Sequence, residues 1–305
     1  MIYCLINPSS RSRKGVRIWK KIEKDLKKEC IAYQTIISKS KDDVTNAAKR
    51  LTRDSEEKTV IIIGGDGTLN SFLNGMERTD GICIGYLPVG SGNDFARGMG
   101  ITANYREELE LILHDRQKRH IYYGEVSYKS GRNQRFFVSS GIGYDAKVCY
   151  KVDHSPTKKI LNFFQLGKLI YLVLGVLYLI KAKTFTADLF VDDELVLEGD
   201  KFLFTSFHVL PYEGGGFKFC PDQHPEDNRL HICAVQGIPR WKLPFIIPQA
   251  LMGTHVNRKG VHIYCCDHAT IQTGSPQYVH TDGETDHKYD GITVSISEEK
   301  ITFLN

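Results

Sequence analysis

The chain is 305 residues long, with 40 lysines and arginines against 36 acids, a formal charge of +4, and 41% hydrophobic residues. That length predicts about two domains with ample apolar material for a core. The small positive charge is too little to argue for a nucleic-acid binder, and is compatible with weak attraction to an anionic membrane. Eight cysteines without a Cys-x-x-Cys pair read as free thiols of a cytoplasmic protein. Met1–Ile6 is too short to be the apolar core of a signal peptide.

Met1–Ile6 reads as a first strand that runs into Asn7-Pro8. Gly15–Cys30 predicts an amphipathic helix, because Trp19, Ile22 and Leu26 share one face. Nine lysines and arginines between Arg11 and Lys28 decorate its start and outer face as solvated charge; Arg11, Arg13 and Lys14 are also placed to meet phosphate or lipid headgroups. Ile31–Ile37 predicts a second strand and Lys41–Leu51 a second helix. The most informative stretch follows. Val60-Ile61-Ile62-Ile63 is a buried strand by composition, and it breaks at once into Gly64-Gly65-Asp66-Gly67. Glycines there permit positive φ and close approach of a polyanion to the main chain. A bare Asp66 beside phosphate would be repelled unless a hard divalent cation lay between them. Thr68 and Asn70 add a hydroxyl and an amide, and a helix starting near Leu69 points its positive end at the anion. The unit reads as a nucleotide-triphosphate cradle rather than an ordinary strand-to-helix turn.

A second strand-turn-helix unit comes next: Ile82–Leu87, then Pro88-Val89-Gly90-Ser91-Gly92-Asn93-Asp94, then a helix through Phe95-Ala96-Arg97. Two successive strands ending in such turns place both at one edge of a parallel sheet, where open α/β sheets bind ligands. Glu107–His114 predicts a short helix, which completes a βαβα alternation and a doubly wound α/β domain. After about His120 short strands dominate: Ile121–Tyr128, Arg135–Ser139, Thr186–Val191, Leu203–Phe207, Leu230–Val235, Val261–Tyr264, Thr270–Thr273, Tyr278–Thr281 and Gly291–Ser297. That pattern predicts an antiparallel β-sandwich. The domains expected are 1–119, with 298–305 returning to it, and 120–297.

Leu161–Lys183 is apolar, but its uncharged part, Leu169 to Ile180, falls short of the roughly 20 residues needed to span a bilayer. A helix packed on the sandwich and a helix offering one face to lipid are both open, and both can hold for different faces. His262, Cys265, Cys266 and His268 resemble a metal cluster only in composition. A strand would send Cys265 and Cys266 to opposite faces, so a strand and turn are preferred to zinc. Gly141-x-Gly143-x-x-Ala146 fits a dinucleotide fingerprint formally but lacks the surrounding βαβ unit. No Gly-x-x-x-x-Gly-Lys-Ser/Thr occurs, which argues against a P-loop enzyme.

Gly64–Asn70 together with Leu87–Arg97 resembles the diacylglycerol kinase catalytic-domain family, which includes bacterial lipid kinases and sphingosine kinases. Asn7-Pro8, Gly141–Ala146, Gly214-Gly215-Gly216-Phe217 and Asp282-Gly283-Glu284 agree in order, so the resemblance spans nearly the whole chain. Gly-Gly-Asp-Gly-Thr alone also occurs in NAD kinases; the second motif makes the match specific. The resemblance implies that Gly64, Gly65, Asp66, Gly67, Thr68 and Asn70 hold the triphosphate, with Asn7 and Ser38 contributing at the nucleotide. Ser91 keeps the hydroxyl of a common threonine, and Asp94 orients the motif or a metal-bound water, a helix N-cap being its plainer use. Glu284 matches the family's general base, although Asp282-Gly283 by itself is an ordinary hairpin turn. Asp227 resembles an acid that holds a structural Mg²⁺ in some bacterial members, but the usual Asp-Gly is here Asp-Asn. Arginines in the first loop replace family glycines and would meet phosphate through guanidinium.

The expected activity is therefore a MgATP-dependent lipid kinase, diacylglycerol being the first acceptor to test and phosphatidic acid the product. Its expected partners are the lipid and the membrane surface, without nucleic acid; a homodimer is an open alternative. The rivals are a kinase of a soluble hydroxyl compound such as NAD, and a non-catalytic nucleotide or lipid sensor on the same fold.

Overall fold

A computed structural model describes residues 1–8, 10, 14–115, 117–153, 179 and 182–305. The chain divides into two compact units, Met1–Tyr122 with Glu299–Asn305, and Tyr123–Glu298. The helix expected within Leu161–Lys183 falls almost wholly outside the described residues.

The first unit is a six-stranded sheet in the order β2-β1-β3-β4-β17-β5. Its strands are β1 (Ile2–Ile6), β2 (Tyr33–Ile37), β3 (Lys58–Gly64), β4 (Ile82–Pro88), β5 (Lys118–Ile121) and β17 (Ile301–Leu304). All pair in parallel except β5, which runs antiparallel to β17. Val60 to Ile63 are completely buried, as a β-branched run covered on both faces requires. The helix α1 (Lys14–Lys28) buries Ile18, Trp19, Ile22 and Leu26 and leaves Lys20, Lys21, Lys24, Lys27 and Lys28 outward; Trp19 meets Tyr33 edge-on at 5.8 Å. The helix α2 (Lys41–Leu51) has the predicted bounds because its ends are written locally. Ser40 and Asp43 form a reciprocal capping box, and Lys49 and Arg50 sit in the last turn. The helix expected over Glu107–His114 is α5 (Tyr105–Glu110), continued as a π-turn at Leu111–Asp115.

The second unit carries a nine-stranded, wholly antiparallel sheet. Two strands are much longer than their apolar runs suggest: β10 (Glu194–His208) and β15 (His268–Thr281). Each bends at register shifts, so that one half pairs with β8 (Ser139–Gly143) and the other with β9 (Phe185–Val191). The circuit β10-β8-β15-β9 closes on itself around a core that includes Phe202, Phe207, Ile271 and Val279. The expected strand Ile121–Tyr128 is in fact two: β5 ends at Ile121 in the first unit, and β6 (Gly124–Tyr128) belongs to the second. Likewise β7 (Asn133–Phe136) and β8 replace the single run expected at Arg135–Ser139. The remaining strands of the large sheet are β13 (Leu230–Gln236), β14 (Val261–Cys266) and β16 (Glu284–Ile296), and a small hairpin joins β11 (Tyr212–Glu213) to β12 (Phe217–Lys218). In β14 Cys265 is exposed and Cys266 buried, the alternation expected of a strand. Among the described residues no helix is long and apolar enough to cross a membrane.

Candidate functional site

Two glycine turns stand side by side at the C-terminal ends of β3 and β4. The parallel register sets Gly64 beside Pro88, and Val89 N–H donates to the Gly64 carbonyl at 2.8 Å. Beyond that bond the loops touch through bare backbone. A Cβ on Gly90 would lie 2.7 Å from the Gly65 Cα, and one on Gly64 would strike Thr68 at 2.6 Å. A Cβ on Gly92 would stand 3.2 Å from an Asp66 carboxylate oxygen. The glycines thus serve loop-on-loop contact as well as access for a ligand.

From the first turn springs α3 (Asp66–Gly75), which has no side-chain cap; from the second springs α4 (Asp94–Met99), entered through Asn93 in the left-handed region at φ 54°. Asp66 joins the two turns. Its carboxylate accepts from Asp94 N–H at 3.0 Å and from the Tyr86 hydroxyl at 3.4 Å. Tyr86 is fully buried, and burial, followed by the Asp66 charge, pushes its hydroxyl well above the ordinary range. Asp94 is buried and paired with Arg97. Behind the turn, Phe95 packs on Tyr86 and on Phe303 of β17, with ring centroids 5.5 and 4.9 Å apart. The C-terminal strand therefore braces the second glycine motif.

Other sequence-nominated residues gather at this edge in different capacities. Asn7, just after β1, donates its amide to the Thr68 hydroxyl at 2.9 Å, and Thr68 is buried. Asn70 is buried and accepts from Asn74 through both its carbonyl and its side chain. Ser38 follows β2, is buried, and returns its hydroxyl to the Ile6 carbonyl at 3.1 Å. The Asn7–Thr68 and Ser38–Ile6 bonds tie separate strand ends together, whereas Asn70 bonds within α3. The half-buried Gly65, Asp66, Gly67 and Gly92, with exposed Ser91, are the members open to a ligand. An ionised carboxylate only accepts and offers about four lone-pair sites, which suits a hard cation as well as N–H and O–H donors. The donor set therefore fits a hard divalent cation and a polyphosphate, and the bare glycine backbone around it fits the same ligand.

Asp227 and Glu284 belong to the second unit. Asp227 accepts from His224 N–H at 3.2 Å within its own turn. Among the described residues, the side-chain clusters with metal-ligand spacing are Glu29–Glu110–His114 and Asp145–Glu213–His280; Asp227 stands outside both. Glu284 opens β16 directly after Asp282 (φ 48°) and Gly283 (φ 81°), the two positive-φ residues of a type I′ hairpin. That turn is tightly fastened. The Asp282 carboxylate accepts the N–H groups of Phe137, Val138 and Ser139 at 2.9, 2.8 and 3.1 Å, and Asp282 N–H returns a bond to the Ser139 carbonyl.

Sequence reasoning missed the group beneath that turn. His280 is fully buried between two acids, its Nε2 lying 3.2 Å from Asp145 and 3.3 Å from Glu213. Glu213 also faces His208 at 3.6 Å, and His208 is held by the Ser206 hydroxyl at 2.9 Å. Gly141 now has a reason unrelated to dinucleotides: a Cβ there would fall on the Asp145 carboxylate and 2.6 Å from His280 Nε2. Burial alone would lower the His280 pKa, but the Glu213 charge and bonds to both acids raise it to about 10. For Glu213 burial is likewise outweighed, here by His280 and His208, and the carboxyl falls to about 2. Burial raises Asp145 and takes His208 down to about 4. A metal would need the Nε2 lone pair of His280. The acids on either side keep a proton there instead.

Asp145 and Glu213 also reach a cavity of about 150 Å³ whose wall is otherwise mainly apolar, including Leu203, Phe204, Phe219 and Ile247. On the other side of Tyr144 a second cavity, about 590 Å³, is lined by Lys147, Lys183 and Lys288. Burial and the neighbouring lysines lower the Lys147 pKa.

Residues 1–126 match the family model "Diacylglycerol kinase catalytic domain", and residues 138–300 match "YegS C-terminal NAD kinase beta sandwich-like domain". A Bacillus subtilis protein named "Putative lipid kinase YtlR" is 28% identical over 291 residues, covering 92% of each chain. The diacylglycerol kinase of Staphylococcus haemolyticus is 27% identical over 289 residues, which is 92% of this chain and 81% of that one. Among solved structures, a diacylglycerol kinase from Bacillus anthracis superposes with a TM-score of 0.70 at 19% identity, covering 99% of this chain and 96% of the other. An Archaeoglobus fulgidus NAD kinase in complex with ATP gives 0.56 at 13% identity, covering 100% and 94%. The last two likenesses concern the fold: an α/β domain joined to an antiparallel sheet domain.

Proposed function

This chain belongs to the diacylglycerol kinase catalytic-domain family, and from that premise we propose that it transfers the γ-phosphoryl group of MgATP to a lipid hydroxyl, with diacylglycerol as acceptor and phosphatidic acid as product. The observation that carries the reading is the pair of touching glycine turns closed by Asp66, which joins bare backbone, two helix starts and an acid at one sheet edge. Gly65, Asp66, Gly67, Ser91 and Gly92 would hold the nucleotide phosphates, and Asp66 the Mg²⁺, which when bound neutralises phosphate charge. Glu284 would accept the proton of the attacking hydroxyl, held in place by the Asp282 and His280 anchorage of its hairpin. The apolar cavity of the second unit supports a lipid acceptor over a soluble one. Such an enzyme would work in the cytoplasm at the membrane surface, in phospholipid synthesis.

The test is transfer of labelled phosphate from MgATP to a panel of lipids in mixed micelles, with NAD as a competing acceptor and Glu284→Gln as control. Transfer to one lipid that the variant loses supports substrate and base together. Phosphorylation of NAD in preference to any lipid would move the assignment to a soluble-acceptor kinase. ATP binding without transfer to any acceptor would indicate a sensor.

A further inference from the structure

Seven large hydrophobic side chains are exposed among the described residues, and Trp241, Phe245, Leu251 and Met252 are four of them. All four belong to one short segment, the 3₁₀ turn Arg240–Lys242 followed by α7 (Leu243–Met252), the next helix after α6 (Tyr144–Asp153). Trp241, Phe245, Pro248 and Met252 recur at i, i+4, i+7 and i+11, which is one stripe of a helix. The other face is already occupied: Leu243, Ile247 and Ala250 line the apolar cavity. A helix apolar on both faces is satisfied only when both are covered, and exposures of 68% for Trp241 and Phe245 and 73% for Met252 leave the outer face to a partner.

Charge identifies that partner. From Leu230 to Cys266 the chain carries Arg240, Lys242, Arg258 and Lys259 and no aspartate or glutamate. Two of these cations are fixed beside the apolar stripe. Lys242 Nζ lies 5.1 Å from the centre of the Trp241 ring, and Arg258 donates to Gln249 of α7 at 2.6 Å. Apolar anchors, a tryptophan and acid-free basic flanks together match the boundary between headgroups and acyl chains of an anionic bilayer. A second copy of the same face would bring Arg240 and Lys242 against like charges in an isologous pair.

We propose that Arg240–Met252 is a membrane-docking element that lies in the plane of an anionic phospholipid surface, with Trp241, Phe245 and Met252 inserted and Arg240 and Lys242 on lipid phosphates. The proposal sharpens the lipid-kinase reading but is scored without catalysis, so its failure leaves that reading standing. The experiment is sedimentation of the full chain with vesicles of phosphatidylcholine, alone or mixed with phosphatidylglycerol. The chain should partition onto the mixed vesicles at least about tenfold better. Arg240→Gln with Lys242→Gln should weaken binding by about thirtyfold on mixed vesicles and little on neutral ones, from the worth of two basic residues near an anionic surface. Trp241→Ala with Phe245→Ala should weaken binding on mixed vesicles at least about tenfold at an unchanged melting temperature. Brominated acyl chains should quench Trp241 in the unaltered protein, a readout that needs no variant. Binding retained by both double variants, no binding by the wild type, or no quenching would overturn the proposal. So would a wild-type dimer that Trp241→Ala with Phe245→Ala makes monomeric, since the face would then be a protein interface.

Discussion

Replacing His280 with leucine removes the ring nitrogen that stands 3.2 Å from Asp145 and 3.3 Å from Glu213, inside a group where His280 is fully buried. Leucine roughly fills the space but leaves two acids facing one another without their donor. Removing one partner from a buried ion pair costs about 3–5 kcal/mol. At about 2–4 °C of melting temperature per kcal/mol for a unit of this size, the loss is about 6–20 °C. The pH profile tests the same argument independently. His280 is raised from 6.5 to about 10, so its contribution is complete below pH 6.5 and is lost as pH climbs towards 10. Glu213 is lowered from 4.5 to about 2, so its contribution is present above pH 4.5 and fades as pH falls towards 2. His208 is lowered from 6.5 to about 4, so protonation of the unfolded chain erodes stability as pH falls from 6.5 to 4. The wild type should therefore be most stable near pH 6.5, judged by these groups, and His280→Leu should lose the decline between pH 6.5 and 10. Urea denaturation followed by circular dichroism across that range measures both effects. A loss under about 1 kcal/mol, or an alkaline limb unchanged in the variant, would refute the account of His280 as the charged centre of the group.

Three further outcomes are expected. Glu284→Gln should lower turnover by about 10²–10⁴ while ATP binding, measured by calorimetry, stays near wild type; full turnover would remove Glu284 as the base. Asp66→Asn should abolish phosphoryl transfer and weaken nucleotide binding in the presence of Mg²⁺ more than in its absence, and an active variant would discount the cradle. Asp282→Ala deletes a carboxylate that accepts three backbone N–H groups, so a stability loss of about 3 kcal/mol is expected by thermal melting. A neutral melt would mean that water replaces the carboxylate at those groups.

The elements legible in the chain were those whose signals are local. The helix α2 carries its own cap and basic last turn, β3 is an unbroken β-branched run, and the two glycine turns are written in consecutive residues. Strand ends were poorly legible, because β10 and β15 extend through polar residues whose place is decided by pairing with β8 and β9. Local sequence also nominated Asp66 and Thr68, and the family resemblance Asn7 and Ser38, yet neither carried anything about their different employment. That Asn7 holds Thr68, that Ser38 holds Ile6, and that Asp66 bridges to the Asp94 N–H depends on which strand ends the parallel register sets side by side.

The buried Asp145–His280–Glu213 group marks the boundary between the two kinds of information. Its members lie 67 to 135 positions apart, none belongs to a motif with the others, and each alone reads as an ordinary polar residue. What joins them is pairing of β8 with β15, which puts Gly141 opposite His280, and the absence of a side chain at Gly141 that leaves room for the acid. Composition and local pattern determined which strands and helices form and where bare backbone can meet an anion, because those depend on residues a few positions apart. Only the tertiary structure decided which charges share a buried space, because burial and electrostatic pairing depend on distances that the linear order does not encode.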